Sequence, residues 1–426
     1  MTASSTLKKA FENQEYESLL MDIYCDASLI PYQTRRYIDA ITAYEEAYGE
    51  GEVEIFSAPG RTEVGGNHTD HQHGEVLAAS INLDAIAVAK RLEEPVVKVI
   101  SGRYRILTIR LDDLELRSKE KESTLSIIKG VLAGLRNAGY TFGGFQTYIT
   151  SDVLIGAGLS SSAAFETIIG TIVSGLYHDM KISPVEIAKI GQYAENEYFG
   201  KPCGLMDQMA CSVGSLVHID FSDVSAPVVG QVQCDLDEYG YSLCITDTKG
   251  SHSDLTADYA AIPEEMKKVA ALFGKDVLRD VPKEEVYASL PKIREKAGDR
   301  AALRAIHFYE ENERVQKEVK ALEEHDFASF LEAVKASGHS SFQYLQNVYV
   351  NQDIKNQNVS IALAVSDSVL QENGVCRVHG GGFAGTIQAF VKNSSVESYC
   401  KSMDAVFGEG SCKVLKIRKY GGMKVL

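Results

Sequence analysis

A turn rich in glycine and serine has the residue types that hold a phosphate group. It reads Gly156-Ala157-Gly158-Leu159-Ser160-Ser161-Ser162. The first N–H groups of a helix have no partner inside that helix, and the helix dipole leaves this end positive, so an anion binds there. Glycines let the backbone approach closely, and serines add hydroxyl donors. An ordinary serine N-cap is the alternative, but three serines behind G-x-G favour phosphate binding.

The segments on either side of this turn are those that such a site needs. Phe145–Thr150 has the composition of a strand, and apolar residues recur with helical spacing after the turn. These residues are Phe165, Ile168, Ile169, Ile172, Val173 and Leu176. The turn lacks the G-K-[ST] ending of a P-loop, so it predicts a phosphate site of another kind.

A second polar turn runs from Pro59 to Gly74 and is dense in hydrogen-bonding side chains. Carboxylate and imidazole groups such as those of Asp70 and His68 pair with adjacent hydroxyls, which favours a polyol ligand. A metal site is a competing interpretation, because His68, Asp70, His71 and His73 are all possible ligands. A third interpretation is a solvated turn without a function.

A third segment extends from Glu195 to Asp207. A helix ends near Gly200, and the turn Pro202-Cys203-Gly204 then presents Asp207 as a candidate catalytic carboxylate. The structural alternative is that Asp207 caps the next helix and that Glu195 is solvated.

A glycine-rich stretch near the end, His379–Gly385, matches G-x-G-x-x-G by letter. A dinucleotide-binding fingerprint needs a helix after the glycines, whereas Thr386–Val391 is β-branched and strand-like. The pattern therefore predicts a glycine hairpin, either structural or close to a ligand.

These segments lie in a chain of interspersed strands and helices without strict alternation, which predicts an α+β fold. We expect a helical lead-in over residues 1–50 and two domains over 51–225 and 226–426. The predicted strands are Val53–Ala58, Val76–Ile81, Ala85–Lys90, Val96–Ile100, Ile106–Leu111, Phe145–Thr150, Leu216–Phe221, Tyr241–Thr246, Cys376–His379, Thr386–Val391 and Lys413–Ile417. The predicted helices cover Leu125–Asn137, a segment from the Ser183-Pro184-Val185-Glu186 capping box toward Tyr198, 256–273, 300–323, 326–337, 359–372 and Val396–Phe407.

Composition limits the function classes. A chain of 426 residues with 45% hydrophobic residues exceeds the usual size of a single core. The net charge of −16 argues against nucleic acid or an acidic membrane as partner. The N-terminus lacks a hydrophobic signal core, so we expect a cytoplasmic protein. The eight cysteines are scattered without a C-x-x-C pair, which favours buried, reduced thiols.

Together, G-L-S-S-S-A, P-C-G-x-M-D-Q, the glycine hairpin and the earlier P-G-R and H-T-D elements resemble the galactokinases of the GHMP small-molecule kinase family. The similarity runs from about Val53 to Ile417. It implies a two-domain α+β fold with mixed β-sheets and an active site between the domains. It also implies transfer of the γ-phosphoryl group of ATP to the anomeric C1 hydroxyl of galactose.

The resemblance also implies residue roles. Asp207 matches the catalytic Asp, and Arg61 matches its partner near the reacting hydroxyl. Ser162 and Glu195 match the positions associated with Mg²⁺. The phosphate-binding positions are Gly156, Gly158, Leu159, Ser160, Ser161 and Ser162. The sugar-binding positions are Asn67, His68, Asp70, Gly204 and Tyr259, of which Tyr259 aligns by spacing only.

Two departures from the family pattern concern the substrate and the phosphates. The family usually has Glu, contacting the sugar 6-hydroxyl, where this chain has Asn67, and Asn where it has Glu63. An amide can accept and donate there, so galacturonate, N-acetylgalactosamine or L-arabinose are alternative substrates. Ala384 stands where glycine is usual in the hairpin. A non-catalytic sugar and ATP sensor is the alternative outside the enzymes, and the resemblance is compatible with a monomer or a homodimer.

Overall fold

The structure is a computed structural model that describes residues 1–153, 158–250 and 255–426. Its helices are α1 Ser4–Glu12, α2 Glu17–Tyr24, α3 Ile30–Tyr48, α4 Thr124–Asn137, α5 Ser161–His178, α6 Pro184–Tyr193, α7 Met206–Val213, α8 Thr256–Ala271, α9 Lys283–Ala288, α10 Leu290–Ala297, α11 Asp299–Glu323, α12 Phe327–Ser340, α13 Asn358–Leu370 and α14 Val396–Phe407. Short π-helical segments, Ala194–Phe199 and Ser341–Leu345, continue α6 and α12.

The strands are β1 Thr2–Ala3, β2 Glu52–Gly65, β3 Glu75–Leu92, β4 Val96–Ser101, β5 Leu107–Arg110, β6 Gly144–Ser151, β7 Leu216–Asp220, β8 Val228–Val232, β9 Tyr241–Asp247, β10 Gly374–His379, β11 Thr386–Lys392, β12 Cys412–Leu415 and β13 Met423–Lys424. In the described part of the chain they form two sheets. The first has the order β1-β2-β3-β6-β4-β5, with β13 on β2 and with β7 and β8 beside β3. The second has the order β10-β11-β9-β12.

The α+β class is confirmed, and the first sheet is mixed because β4 and β6 run parallel, whereas the described pairs of the second sheet are all antiparallel. One hydrophobic core lies between the first sheet and α4, α5 and α6, and it contains Phe145, Ile168 and Ile172. A second core joins residues of both sheets, such as Leu77 of β3 and Leu243 of β9. None of the helices in the described ranges is long and apolar enough to span a membrane.

Two predicted strands, Val76–Ile81 and Ala85–Lys90, are one continuous strand in the structure. Asn82 and Asp84 resemble turn residues by type, but tertiary contacts hold them within β3. Asp84 is fully buried and accepts hydrogen bonds from Arg36 Nη1 at 2.6 Å and from Tyr24 Oη at 3.0 Å. The predicted helical lead-in is therefore confirmed as helical and packs directly on the first sheet.

Several short elements were not predicted, namely α9, α10, β1, β8 and β13. Proline residues at 282 and 291 interrupt the helical pattern of the first two. Gly230, within β8, weakens the sequence signal of that strand, and β13 contains only two residues. The proposed division at residues 225 and 226 stays a prediction. β13 pairs with Phe56 and Ser57, so the C-terminal residues complete the first sheet.

Candidate active site

The centre of the site is an ion pair between β2 and the first turn of α7. Arg61 Nε donates to Asp207 Oδ1 at 2.7 Å, and Arg61 Nη2 donates to Asp207 Oδ2 at 2.9 Å. Ser160, immediately before α5, also donates to Asp207 Oδ2. Such a two-pronged pair fixes both the position and the plane of the carboxylate. Arg61 is 6% exposed, whereas about a third of the Asp207 side chain faces solvent.

The surroundings keep Asp207 ionised. Burial alone would raise its pKa, but the charge of Arg61, together with hydrogen bonds from Arg61 and Ser160, outweighs burial and lowers the pKa below its usual value. An ionised carboxylate can accept a proton from a substrate hydroxyl, and the role of Asp207 as a general base stays a prediction.

The serine loop leads directly into α5, as predicted. Ser160 has a left-handed backbone, with φ of 56°, and no side chain of the described residues caps this helix end. The first N–H groups of α5 therefore remain available to an anion. Gly158 also has a positive φ, of 67°, and its carbonyl accepts from Arg61 Nη1. Gly156 lies outside the described residues.

Leu159 has a structural position. Its side chain is 1% exposed within the core that joins both sheets, and its carbonyl accepts a hydrogen bond from Arg61 N at 3.1 Å. The role of Leu159 in phosphate binding stays a prediction that involves its backbone alone.

The predicted glycine hairpin is confirmed, since β10 and β11 pair from Gly374 opposite Val391 to His379 opposite Thr386. It supports the serine loop: a Cβ at Gly158 would lie 2.7 Å from Thr386 Oγ1 and 3.3 Å from His379 Nδ1. His379 Nε2 accepts from Glu63 N at 3.2 Å. Burial and then the charge of Arg61 hold the pKa of His379 well below its usual value, so the ring is neutral.

Glu195 lies in the π-helical segment after α6. Its Oε1 accepts from Ser162 Oγ at 3.3 Å and from Lys201 Nζ at 3.1 Å, and its Oε2 accepts from Gln208 Nε2 at 2.9 Å. Glu195 is 3% exposed, so the solvated alternative is wrong. Short π-helical segments often mark functional positions because they redirect side chains.

The pair of Ser162 and Glu195 fits a magnesium site. Mg²⁺ binds oxygen atoms in an octahedron with bonds of about 2.0–2.1 Å, which places neighbouring ligand oxygens about 3 Å apart. The Ser162 and Glu195 oxygens are 3.3 Å apart, and the Lys201 side chain that also contacts Glu195 is largely exposed and can move aside.

Three of the predicted sugar residues contact the glycine hairpin directly, namely Asn67, His68 and Tyr259. Asp70 packs directly against Gly204, where any Cβ would overlap its carboxylate. His68 Nε2 contacts the Gly381 carbonyl at 3.1 Å, so this nitrogen carries the proton and Nδ1 is an acceptor. Burial, followed by the neighbouring His71 ring, lowers the pKa of His68 to about 4.

Tyr259 approaches the same hairpin from α8. Its hydroxyl donates to the Gly382 carbonyl at 3.0 Å, and its ring packs edge-on against Phe383 at 5.2 Å. Burial, and then the charge of Asp258, raises the pKa of Tyr259 to about 12, so the hydroxyl is protonated at neutral pH.

Asn67 differs from the other sugar positions because it is fully buried. Its Nδ2 donates to Glu63 Oε1 at 2.9 Å and to the Gly380 carbonyl at 2.7 Å. Its Oδ1 accepts from Asn347 Nδ2 at 2.8 Å and from Ser341 Oγ at 3.2 Å. The amide is thus occupied within the protein, and its contact with a sugar stays a prediction that this geometry does not favour.

Sequence reasoning missed the buried charges that hold this turn from behind. Arg377 of β10 is fully buried and donates to Glu63 Oε1 at 2.7 Å. Glu311 of α11, also fully buried, accepts from the backbone N–H groups of Gly66 at 3.1 Å and Asn67 at 3.3 Å. A signal existed in the sequence. In the apolar series Phe308, Val315 and Leu322, two glutamates occupy the intervening core positions, Glu311 and Glu318.

The metal interpretation of the histidine-rich turn finds no support. Among residues 1–153, 158–250 and 255–426, one group of three or more His, Cys, Asp or Glu side chains has ligand atoms mutually within 4.8 Å, and it consists of cysteines elsewhere in the fold.

The fold, the serine loop and the Arg61–Asp207 pair define a small-molecule kinase of the GHMP class. Residues 126–215 match the family model of the GHMP kinases N terminal domain, and residues 42–91 match the galactokinase galactose-binding signature. A galactokinase from Streptomyces coelicolor is 31% identical over 379 residues, which cover 88% of this chain and 94% of that protein. The chain belongs to the galactokinase family.

Two further comparisons agree. A galactokinase from Streptomyces lividans is 30% identical over 359 residues, covering 83% of this chain and 86% of that protein. The crystal structure of Lactococcus lactis galactokinase complexed with galactose matches with a TM-score of 0.76 at 25% identity, covering 90% of this chain and 98% of that chain. The chain is therefore a kinase, and ATP is its phosphoryl donor.

Proposed function

We propose that this chain transfers the γ-phosphoryl group of ATP to the anomeric C1 hydroxyl of galactose, which yields galactose 1-phosphate and ADP. The observation that carries this proposal is the Asp207 carboxylate, held by Arg61 at 2.7 and 2.9 Å beside the serine loop. The match of residues 42–91 to the galactose-binding signature and the names of the relatives support galactose as the acceptor.

In the proposed reaction Asp207 orients the sugar hydroxyl and accepts its proton. The hydroxyl oxygen forms a bond to the γ-phosphorus while the bond from this phosphorus to the bridging β–γ oxygen breaks, and ADP leaves with that electron pair. The transition state of phosphoryl transfer is loose, so the proton can leave late and a weak base suffices. Arg61 keeps Asp207 ionised, and its guanidinium offsets negative charge near the reacting groups.

The amides at the start of α5 and the hydroxyls of Ser160, Ser161 and Ser162 would bind the phosphates. Ser162 and Glu195 would hold Mg²⁺, which neutralises phosphate charge when bound. Only glycine fits at position 158, because the backbone is left-handed and neighbouring side chains leave no space for a Cβ. Since glycine has no side chain, a phosphate can approach its backbone closely.

We place the sugar beside the turn that follows β2, where this turn meets the glycine hairpin. Asp70 supplies acceptors for adjacent hydroxyls, and His68 Nδ1 supplies another. Gly204 packs against Asp70, and the Tyr259 hydroxyl donates to the Gly382 carbonyl, so we expect both residues to border the sugar. Recognition by several fixed polar groups discriminates strongly between sugar stereoisomers, because a missing hydroxyl leaves a buried partner unpaired.

The test is a panel of monosaccharides with MgATP, in which the position of phosphate on the product is determined by phosphorus NMR. We expect turnover with galactose and a product phosphorylated at C1. Preferred turnover of galacturonate, N-acetylgalactosamine or L-arabinose would replace the proposed substrate. Binding of sugar and ATP without any ADP release would instead establish the sensor alternative.

We further propose a cytoplasmic location, because the eight cysteines are free thiols and reduced thiols are typical of that compartment. Light scattering of the purified protein will decide between a monomer and a homodimer.

A further inference from the structure

Three cysteines that are far apart in the sequence meet beside the second sheet. They are Cys244 of β9, Cys400 of α14 and Cys412 of β12, and their sulfur atoms lie within 4.8 Å of one another. Cys244 is 1% and Cys412 8% exposed, whereas Cys400 is half-buried. The cluster therefore has two buried members and one that solvent reaches.

The strand register explains why these thiols converge. Cys412 lies opposite Thr246 in the antiparallel pair of β12 and β9. Side chains two positions apart on a strand share a face, so Cys244, Thr246 and Cys412 all point to one side of the sheet. Helix α14 packs on both strands and contributes Cys400.

The loop before β12 is held in place by a carboxylate. Asp404 Oδ1 accepts from Cys412 N at 2.9 Å, and Asp404 Oδ2 accepts from Gly410 N at 3.0 Å. The backbone of Cys412 is thereby fixed before any ligand arrives, which lowers the cost of forming a site.

The spacing suits a metal ion bound by thiolates. Zinc–sulfur bonds of about 2.3 Å place the sulfurs of a tetrahedral site about 3.8 Å apart, so these sulfurs need to move by about 1 Å or less. Thr246 is fully buried, and its hydroxyl lies within hydrogen-bonding reach of the Cys412 thiol. A metal-bound thiolate would accept a hydrogen bond from this hydroxyl.

We propose that Cys244, Cys400 and Cys412 bind one thiophilic metal ion of the Zn²⁺ or Cu⁺ type, at a site separate from the kinase active site. Soft thiolate ligands select these ions over Mg²⁺. Each thiol that binds releases its proton to water, and for Zn²⁺ a water molecule on the Cys400 side completes four-coordination. Since β9 is the central partner of β11 and β12, we expect the bound ion to stabilise the second sheet.

The experiment uses the full chain, reduced and freed of metal. Zn²⁺ and, separately, Cu⁺ are titrated in competition with a chromophoric chelator, and thiol alkylation with and without metal is mapped by mass spectrometry. We expect one equivalent of at least one ion to bind, protection of Cys400 from alkylation and a higher Tm. Cys400→Ser should weaken binding at least tenfold, whereas Cys234→Ser, at a half-buried cysteine outside the cluster, should leave it unchanged.

Binding of either ion alone supports the site and identifies its metal. If neither ion binds, or if Cys400→Ser leaves the binding unchanged, the proposal is overturned. Protection mapping needs no variant, so it decides the question even if Cys400→Ser folds poorly. Formation of a disulfide within the cluster on mild oxidation, without metal uptake, would also overturn the metal site and assign a redox pair instead.

Discussion

Glu63 and Asn67, both in the polar segment from Pro59 to Gly74, are hydrogen-bonded to each other, with Glu63 Oε1 accepting from Asn67 Nδ2 at 2.9 Å. At these two positions the galactokinases that this sequence resembles usually have Asn and then Glu. The exchange of residue types therefore occurs between partners in direct contact, and it keeps one carboxylate and one amide in the pair. Because Arg377 also binds Glu63, the buried positive charge retains a partner.

Reversing this exchange should show strong coupling. Asn67→Glu alone places two carboxylates in buried contact, and Glu63→Asn alone leaves Arg377 without its ion pair, so each should destabilise the protein. In the double variant one carboxylate and one amide are again adjacent. We expect an interaction energy of about 0.5–3 kcal/mol in the double-mutant cycle, measured by urea unfolding. Additive single effects would show that the two side chains do not act as a pair.

Glu63 should make stability depend on pH. Burial raises the pKa of Glu63 to about 7, despite the opposing charge of Arg377. A carboxyl group with a higher pKa in the folded state binds protons more tightly there, so its contribution to stability is present below the unfolded pKa of about 4.3 and is lost as pH rises through 7. The loss amounts to at most about 4 kcal/mol.

The measurement compares urea unfolding of the wild type and Glu63→Gln at pH 5 and pH 8. The wild type should lose more stability over this interval than the variant. Glu332→Gln, at an exposed position on α12, is the control and should follow the wild type. Parallel pH profiles for wild type and Glu63→Gln would contradict the shift.

Asp207→Asn should reduce kcat by about 10²–10⁴, because an amide of similar size cannot accept the hydroxyl proton. Arg61 keeps one oxygen acceptor, so ATP affinity, measured by calorimetry, should change little. ADP release with galactose is the readout for activity. Asp223→Asn, at an exposed loop carboxylate, should retain wild-type rates. Wild-type turnover by Asp207→Asn would remove the assigned base.

Two glutamates of one π-helical segment provide a matched test of the magnesium site. Glu195 is buried beside Ser162, whereas Glu197 is exposed. Glu195→Gln should raise the Mg²⁺ concentration needed for half-maximal activity at least tenfold, because the neutral amide is a weaker ligand for a hard cation. Glu197→Gln should leave this concentration unchanged. Equal responses in the two variants would argue against Glu195 as a ligand.

Gly204→Ala should act on sugar binding. The added methyl group would overlap the Asp70 carboxylate and displace it from the pocket. We expect the KM for galactose to rise at least tenfold, with a smaller change in the KM for ATP. Gly230→Ala is the control, since its methyl group meets nothing within 4 Å. An unchanged KM for galactose would show that Asp70 does not contact the sugar.

Local patterns in the sequence were sufficient for much of the fold. Ser183 is confirmed as the N-cap of α6, since its Oγ accepts from Glu186 N at 3.2 Å, but the reciprocal half of the capping box does not form because the Glu186 carboxylate accepts from Tyr140 Oη. The hairpin at His379–Gly385 was also predictable, because β-branched residues follow the glycines. In both cases a few neighbouring residues determine the backbone, so short-range chemistry is enough.

The features that were missed depend on contacts between distant parts of the chain. Arg377 and Glu63 are 314 positions apart, and no local pattern links them. Asp84 continues β3 through a turn-like stretch only because Arg36 and Arg418 compensate its charge from other elements. The same holds for the cysteine cluster, whose members come from two strands and a helix. No C-x-x-C pattern links these three cysteines, so the sequence did not indicate that they lie close together in space.

The short strand β13 also has a consequence for biosynthesis. Met423 pairs with Ser57, and Val425 N donates to the Ile55 carbonyl at 2.7 Å. The partners of this part of the β2 edge are therefore more than 360 positions later in the sequence. During translation the emerging polypeptide exposes that edge while most of the remaining sequence is still being made. An uncovered strand edge attracts other chains, so we expect chaperones to engage the nascent protein until residues 423–425 leave the ribosome.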